Sequence, residues 1–195
     1  MMRRATQTIE RVLFGALVVS LVATAGWSQS LTWLGGRPGD IRSLAYGVSA
    51  DGSVVVGRVE NAAGQLRAFR WTQATGMVDL GTLGGVQSIA YGVSADGSVV
   101  VGESNVGPRI RAFRWTQAGG MEDLNITYAS LLTDGSELIT AYAISPNGRY
   151  IVGYGYNAAR RREEAFLLDT VPEPASLMAL GAGLAGLLRL RRRKQ

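Results

Sequence analysis

The stretch A-Y-G-V-S-A-D-G-S-V-V-V-G fills residues 45–57 and returns, without one change, at residues 90–102. A third, diverged copy reads A-Y-A-I-S-P-N-G-R-Y-I-V-G at 141–153. A second motif, R-A-F-R-W-T-Q, occurs at 67–73 and 111–117, and E-A-F-L-L at 164–168 follows the third copy. Self-similarity at a period near 45 residues makes each unit one supersecondary module that buries its apolar face against its neighbours. The predicted units are 37–81, 86–124 and 139–169.

Working outward from the motif, each unit parses into four strands. In the second unit these are predicted at 88–94, 98–104, 110–116 and 121–124. The first turn of each unit carries Asp51-Gly52, Asp96-Gly97 or Asn147-Gly148. Pro146 lacks an N–H and suits position i+1 of a type I turn, after which the glycine takes a left-handed conformation. Period-two alternation in the third strand predicts that Arg67, Phe69 and Trp71 project one way, and Ala68 and Arg70 the other. Phe69, Trp71, Phe113, Trp115 and Phe166 are the predicted core anchors. An aromatic ladder against sugar rings is the alternative role for these side chains. The segment 125–138 breaks the repeat and predicts a short helix at 128–132.

The size of the unit points to an all-β chain of about three four-stranded antiparallel repeats, each like one β-propeller blade. The fold is flanked by an N-terminal signal helix and a C-terminal hydrophobic helix. Three blades are fewer than the four to eight of a closed propeller. The third unit lacks its last strand, while L-T-W-L-G-G at 31–36 is similar to L-G-T-L-G-G at 80–85. Two solutions follow: an open array of incomplete propeller type, or a homo-oligomer that shares a ring. R-A-F-R-W, M-V-D-L-G-T-L-G-G (77–85) and the repeated 13-residue motif resemble the HAF family of extracellular repeats. That resemblance covers about 31–169 and implies secretion and a β-repeat fold, with no activity attached.

The two ends carry addresses. Arg3, Arg4 and Arg11 precede the uncharged run Val12–Val22, and Ala23-Thr24-Ala25 fits a small-x-small cleavage site, so residues 1–25 read as a signal peptide for signal peptidase. At the other end, Pro172, Glu173 and Pro174 precede 14 uncharged residues, 175–188. Arg189, Arg191, Arg192, Arg193 and Lys194 follow. A helix of that length spans roughly 21 Å, short of a hydrocarbon core unless flanking side chains snorkel, and the basic cluster stays cytoplasmic. Residues 171–195 resemble the PEP-CTERM sorting signal of Gram-negative bacteria. The resemblance implies transient insertion in the inner membrane, processing by an exosortase, and a cell-surface or extracellular destination linked to exopolysaccharide. The body between the ends is 26–170.

Charge agrees with this division. The formal net charge of +5 comes from ends of +2 and +4, while residues 26–170 carry −1. No nucleic-acid surface is expected from a body that is nearly neutral. The chain has neither Cys nor His, which removes thiolate chemistry, His bases and their metal sites. No cofactor and no metal site are expected. Asp51 and Asp96 read as turn residues more readily than as calcium ligands. Glu122 and Asp123, adjacent on a strand, face opposite ways. The expectation is a non-catalytic protein that interacts with exopolysaccharide or envelope components. The alternatives are a polysaccharide hydrolase working with carboxylates alone, and a shortened structural member without a ligand.

Overall fold

The computed structural model describes residues 29–171. The signal segment with Ala23 and Ala25, and the tail from Pro172 to the arginine cluster, lie outside the described residues. So do both of the expected flanking helices. Among the described residues no helix is long and apolar enough to cross a membrane.

Every long element is a β-strand. The first sheet has the order β1 (Asp40–Val48), β2 (Val54–Asn61), β3 (Leu66–Thr72), β4 (Gly76–Asp79). The second repeats it with β5 (Ser88–Val93), β6 (Val99–Val106), β7 (Arg109–Thr116) and β8 (Gly120–Asp123). The third contains β9 (Glu137–Ile144), β10 (Tyr150–Asn157) and β11 (Arg162–Asp169), in the order β11-β10-β9. Each is an antiparallel meander, as short connections between sequential strands require, and none closes into a barrel.

The tight motif glycines explain how the first strand of each sheet meets the second. The pairing slips between Ala45 and Gly47 and between Ala90 and Gly92, which marks a bulge in each first strand. Opposite these bulges, the last glycine of V-V-V-G lets the strands close up. A Cβ on Gly57 would lie 2.0 Å from the Leu44 carbonyl oxygen, and on Gly102 2.0 Å from that of Ile89. The same holds for Gly153 and the Thr140 oxygen at 1.8 Å.

Both faces of the third strand are covered. Phe69 and Phe113 are buried, yet so are Ala68 and Ala112 on the opposite face. The reason is that sheets pack face to face: Ala68 lies in a core shared with the second sheet, and Ala112 in one shared with the third. One core unites Val54, Val56, Ala68 and Leu80 with Ala90, Val100 and Phe113. Trp115 packs against its margin. A second core unites Val101, Ala112 and Leu124 with Leu138, Ala141, Ile151 and Leu168, and Phe166 packs against it. Trp71, Trp115 and Phe166 are only half-buried.

The short helix predicted at 128–132 is present as a 3-10 turn, and a further helical turn precedes it. A single helical turn, α1, covers Leu124–Thr127, followed by a 3-10 turn at Ala129–Leu131. The Asp123 side chain accepts from the Asn125 amide at 2.8 Å and caps α1, so the helix starts at the end of β8. Asn125 then locks this turn to β9. Its Oδ1 accepts the Leu138 N–H at 2.7 Å and its Nδ2 donates to the Leu138 carbonyl at 2.9 Å.

Candidate functional site: stacked turns and a tyrosine row

The three repeated turns share one hydrogen-bond plan. Gly52, Gly97 and Gly148 have φ of 74°, 70° and 72°, and their N–H groups donate to the carbonyls of Ser49, Ser94 and Ser145. Asp51 Oδ1 accepts from Ser49 Oγ at 2.7 Å and from the Ser53 amide at 3.0 Å. Asp96 does the same with Ser94 and Ser98 at 2.5 and 3.0 Å. Asn147 does it with Ser145 and Arg149 at 2.6 and 3.1 Å. Each serine oxygen in turn accepts the amide of the next strand, from Val54, Val99 and Tyr150.

Neighbouring turns are joined as well. The Ala50 N–H donates to the Ala95 carbonyl, and the Ala95 N–H to the Pro146 carbonyl, both at 3.0 Å. Pro146 has no N–H with which to extend the line. The turns therefore form a ladder that registers one sheet against the next and ends at the third.

The hydroxyl and amide donors hold Asp51 and Asp96 at about 2, below the ordinary 3.8, with the serine side chain the largest cause in each. A depressed folded-state value contributes stability that is full above the ordinary value and is lost as pH falls through the folded one. The acid limb between about pH 4 and 2 should therefore flatten in the double variant Asp51→Asn/Asp96→Asn. Asn147 already makes the same bonds without a charge. Circular dichroism against pH checks this, and an unchanged acid limb in the variant would contradict it.

Three residues before each of these serines stands a tyrosine. Tyr46, Tyr91 and Tyr142 lie on β1, β5 and β9, the first strand of each sheet. Their rings form a continuous row, with centroids 5.6 Å apart for Tyr46–Tyr91 and 5.5 Å for Tyr91–Tyr142. Tyr154, from β10, extends it by stacking on Tyr142 at 5.8 Å. Tyr46 and Tyr142 are 44% and 51% exposed. Burial first, and then the charge and hydrogen bond of Glu103, push the Tyr91 hydroxyl upward in pKa. Glu103 also accepts from Thr140 Oγ1 at 2.6 Å. The row carries both apolar ring area and hydroxyl groups. The signal for it was present in the sequence: the tyrosine of each A-Y pair recurs at one register, but nothing in the pattern says that strands of different sheets bring those rings together.

The predicted sites fare differently. The turn residues are gathered into the ladder, while Phe69 and Phe113 are buried and offer no face to a sugar. Oδ1 of Asp51 and both carboxylate oxygens of Asp96 are engaged by local donors, and among the described residues no cluster of three or more acidic side chains could hold a metal ion. Glu122 lies 3.9 Å from Arg114, and Asp123 caps α1, so the two do not converge. Arg160 and Arg162 both pair with Glu164, at 3.1 and 2.5 Å, so one carboxylate is shared by two members of the basic run.

Against this geometry, comparison adds one family match. A model described as the PEP-CTERM protein-sorting motif matches residues 170–194. That motif implies export, processing by an exosortase, and a cell-surface or extracellular destination. No curated protein matches the chain. Among solved structures, the chain is similar to one described as putative TolB from Agrobacterium tumefaciens, with 16% identity and a TM-score of 0.46. The alignment covers 67% of this chain and 47% of that one, so it spans about half of the other protein's length.

Proposed function

We propose that this chain is a non-catalytic interaction protein of the cell surface, delivered by its sorting tail and directed toward exopolysaccharide or envelope components. The observation that carries this reading is the half-exposed tyrosine row. Phenol rings offer apolar area to the C–H faces of sugar rings and hydroxyls to their polar edges, at little cost in side-chain entropy. A row that crosses three sheets suits a polymer better than a small molecule. The resemblance of the repeats to HAF extracellular repeats supports the same location.

The test is retention of the processed protein on the producer's own exopolysaccharide. Tyr142→Ala is expected to weaken retention about tenfold, equivalent to 1.4 kcal/mol, with Tyr142→Phe close to the parent. Equal retention of parent and Tyr142→Ala would remove the tyrosine row from the reading. No retention of the parent, with a normal circular dichroism spectrum, would remove the polysaccharide. Release of soluble fragments from the polymer would establish a hydrolase instead.

A further inference from the structure

The first and second sheets have four strands, and the third has three. Among the described residues β11 is paired on one side only, by β10. Its central residues, Ala165-Phe166-Leu167-Leu168, carry no charge to guard that edge. Beside it lies an apolar groove of about 180 Å³ that includes Tyr128, Leu131, Leu132, Phe166 and Leu167. Leu131 and Leu167 are 64% and 68% exposed. In the first sheet, the place that corresponds to this edge is filled by β4. There Val78 stands opposite Arg70, Asp79 stands opposite Phe69, and the Leu80 N–H donates to the Ala68 carbonyl at 2.9 Å.

A segment of the same chain has the matching pattern and, among the described residues, no partner strand. Leu31-Thr32-Trp33-Leu34-Gly35-Gly36 repeats both leucines and the last two glycines of Leu80–Gly85, with Thr32 in the place of Gly81, so that Leu31 takes the place of Leu80, and Gln29 and Ser30 those of Val78 and Asp79. Residues 29–34 form no strand, and Leu31 and Trp33 are 78% and 86% exposed. The run 26–36 is uncharged, like the edge it would meet.

We propose that residues 29–34 of a second copy of this chain add to β11 as the missing fourth strand. Repeat register sets Gln29 of the incoming segment opposite Leu167, Ser30 opposite Phe166, and the Leu31 N–H on the Ala165 carbonyl. Strand addition supplies the main-chain bonds that the open edge lacks, and the groove takes the apolar side chains. Two copies that exchange this segment reciprocally leave neither edge open, which is the closed two-fold arrangement.

Directly opposed residues of antiparallel strands bring their Cα atoms to within about 5.5 Å, inside the range of a disulfide. The natural chain has no cysteine, so single cysteines report cleanly. Full-length chains carrying Gln29→Cys and Leu167→Cys, differently tagged and co-expressed for export, are expected to yield a mixed disulfide-linked dimer. The pair Gln29→Cys with Val106→Cys, an exposed position on the second sheet, is expected to yield none. The processed parent should have the solution mass of two chains. Gln29→Pro, which removes an N–H from a segment that is exposed in the single chain, should reduce that mass to one without changing the spectrum. Absence of the mixed dimer, equal yields from both pairs, or an unchanged mass for Gln29→Pro would each overturn the proposal. An internal disulfide in the single-chain double variant, with the mass of one chain, would show that the segment closes on its own chain and would overturn the role of a second copy.

Discussion

Replacing Phe113 with alanine is expected to lower the unfolding free energy by about 3–5 kcal/mol. Phe113 is fully buried, and its ring sits in the core shared by the first and second sheets, among Val54, Val56, Ala68 and Val100. Removing it strips contacts from both sheets and leaves a cavity that the glycine-tight backbone beside it cannot fill. That backbone is close: a Cβ on Gly102 would lie 2.8 Å from the ring's Cε1. Phe113→Leu keeps most of the volume and should cost less than about 1.5 kcal/mol if the neighbours repack. Urea unfolding monitored by circular dichroism, with a constant slope across the variants, measures both. A loss below about 1 kcal/mol for Phe113→Ala, the range of an ordinary surface change or little more, would mean that the two sheets do not share this core.

Gly102→Ala should be as damaging although it adds only one methyl group. The conflict is with the Ile89 carbonyl oxygen, 2.0 Å from the added carbon, and backbone of a paired strand cannot swing aside as a long side chain can. Overpacking of a tight interior typically costs about 1–3 kcal/mol and more where backbone must move, so roughly 3 kcal/mol or more is expected here. Gly107 supplies the comparison. It has a φ of 58° and nothing within 4 Å of an added Cβ, so Gly107→Ala should cost only about the 1 kcal/mol of the left-handed conformation. Thermal midpoints of the two variants, measured side by side, decide it. If Gly102→Ala is no worse than Gly107→Ala, the strands do not approach as closely at the bulge as described.

Much of the fold was legible because repetition displays its own units. The identical stretches at 45–57 and 90–102 place the same two strands and the same turn twice, and turn chemistry depends on near neighbours in sequence. Asp or Asn two residues after a serine, then glycine, is enough to specify the turns at 51, 96 and 147. The additional helical turn at 124 is not legible in the sequence because its start is set by a cap, Asp123, that also ends β8, and strand pairing decides where β8 stops. The burial of Ala68 and Ala112 is not legible for a related reason. Alternation along a strand says which side chains share a face, and it is silent on whether that face meets water or another sheet.

The candidate site divides along the same line. The PEP-CTERM tail is a linear address, read as a sequence by its processing machinery, so residues 170–194 reveal it without any fold. The tyrosine row is the opposite case. Tyr46, Tyr91 and Tyr142 are 45 and 51 residues apart in the chain, and each merely repeats its place within a unit. Only the packing of first strand beside first strand brings the rings to 5.5–5.6 Å. The sequence by itself determined the period, the turns, the neutral body between two charged ends, and the route of export, because all of these are local or additive properties of the chain. The tertiary structure alone decided which faces are covered, which tyrosines meet, and which edge is left open, because burial and contact belong to residues that are distant in sequence and become neighbours only when the sheets stack.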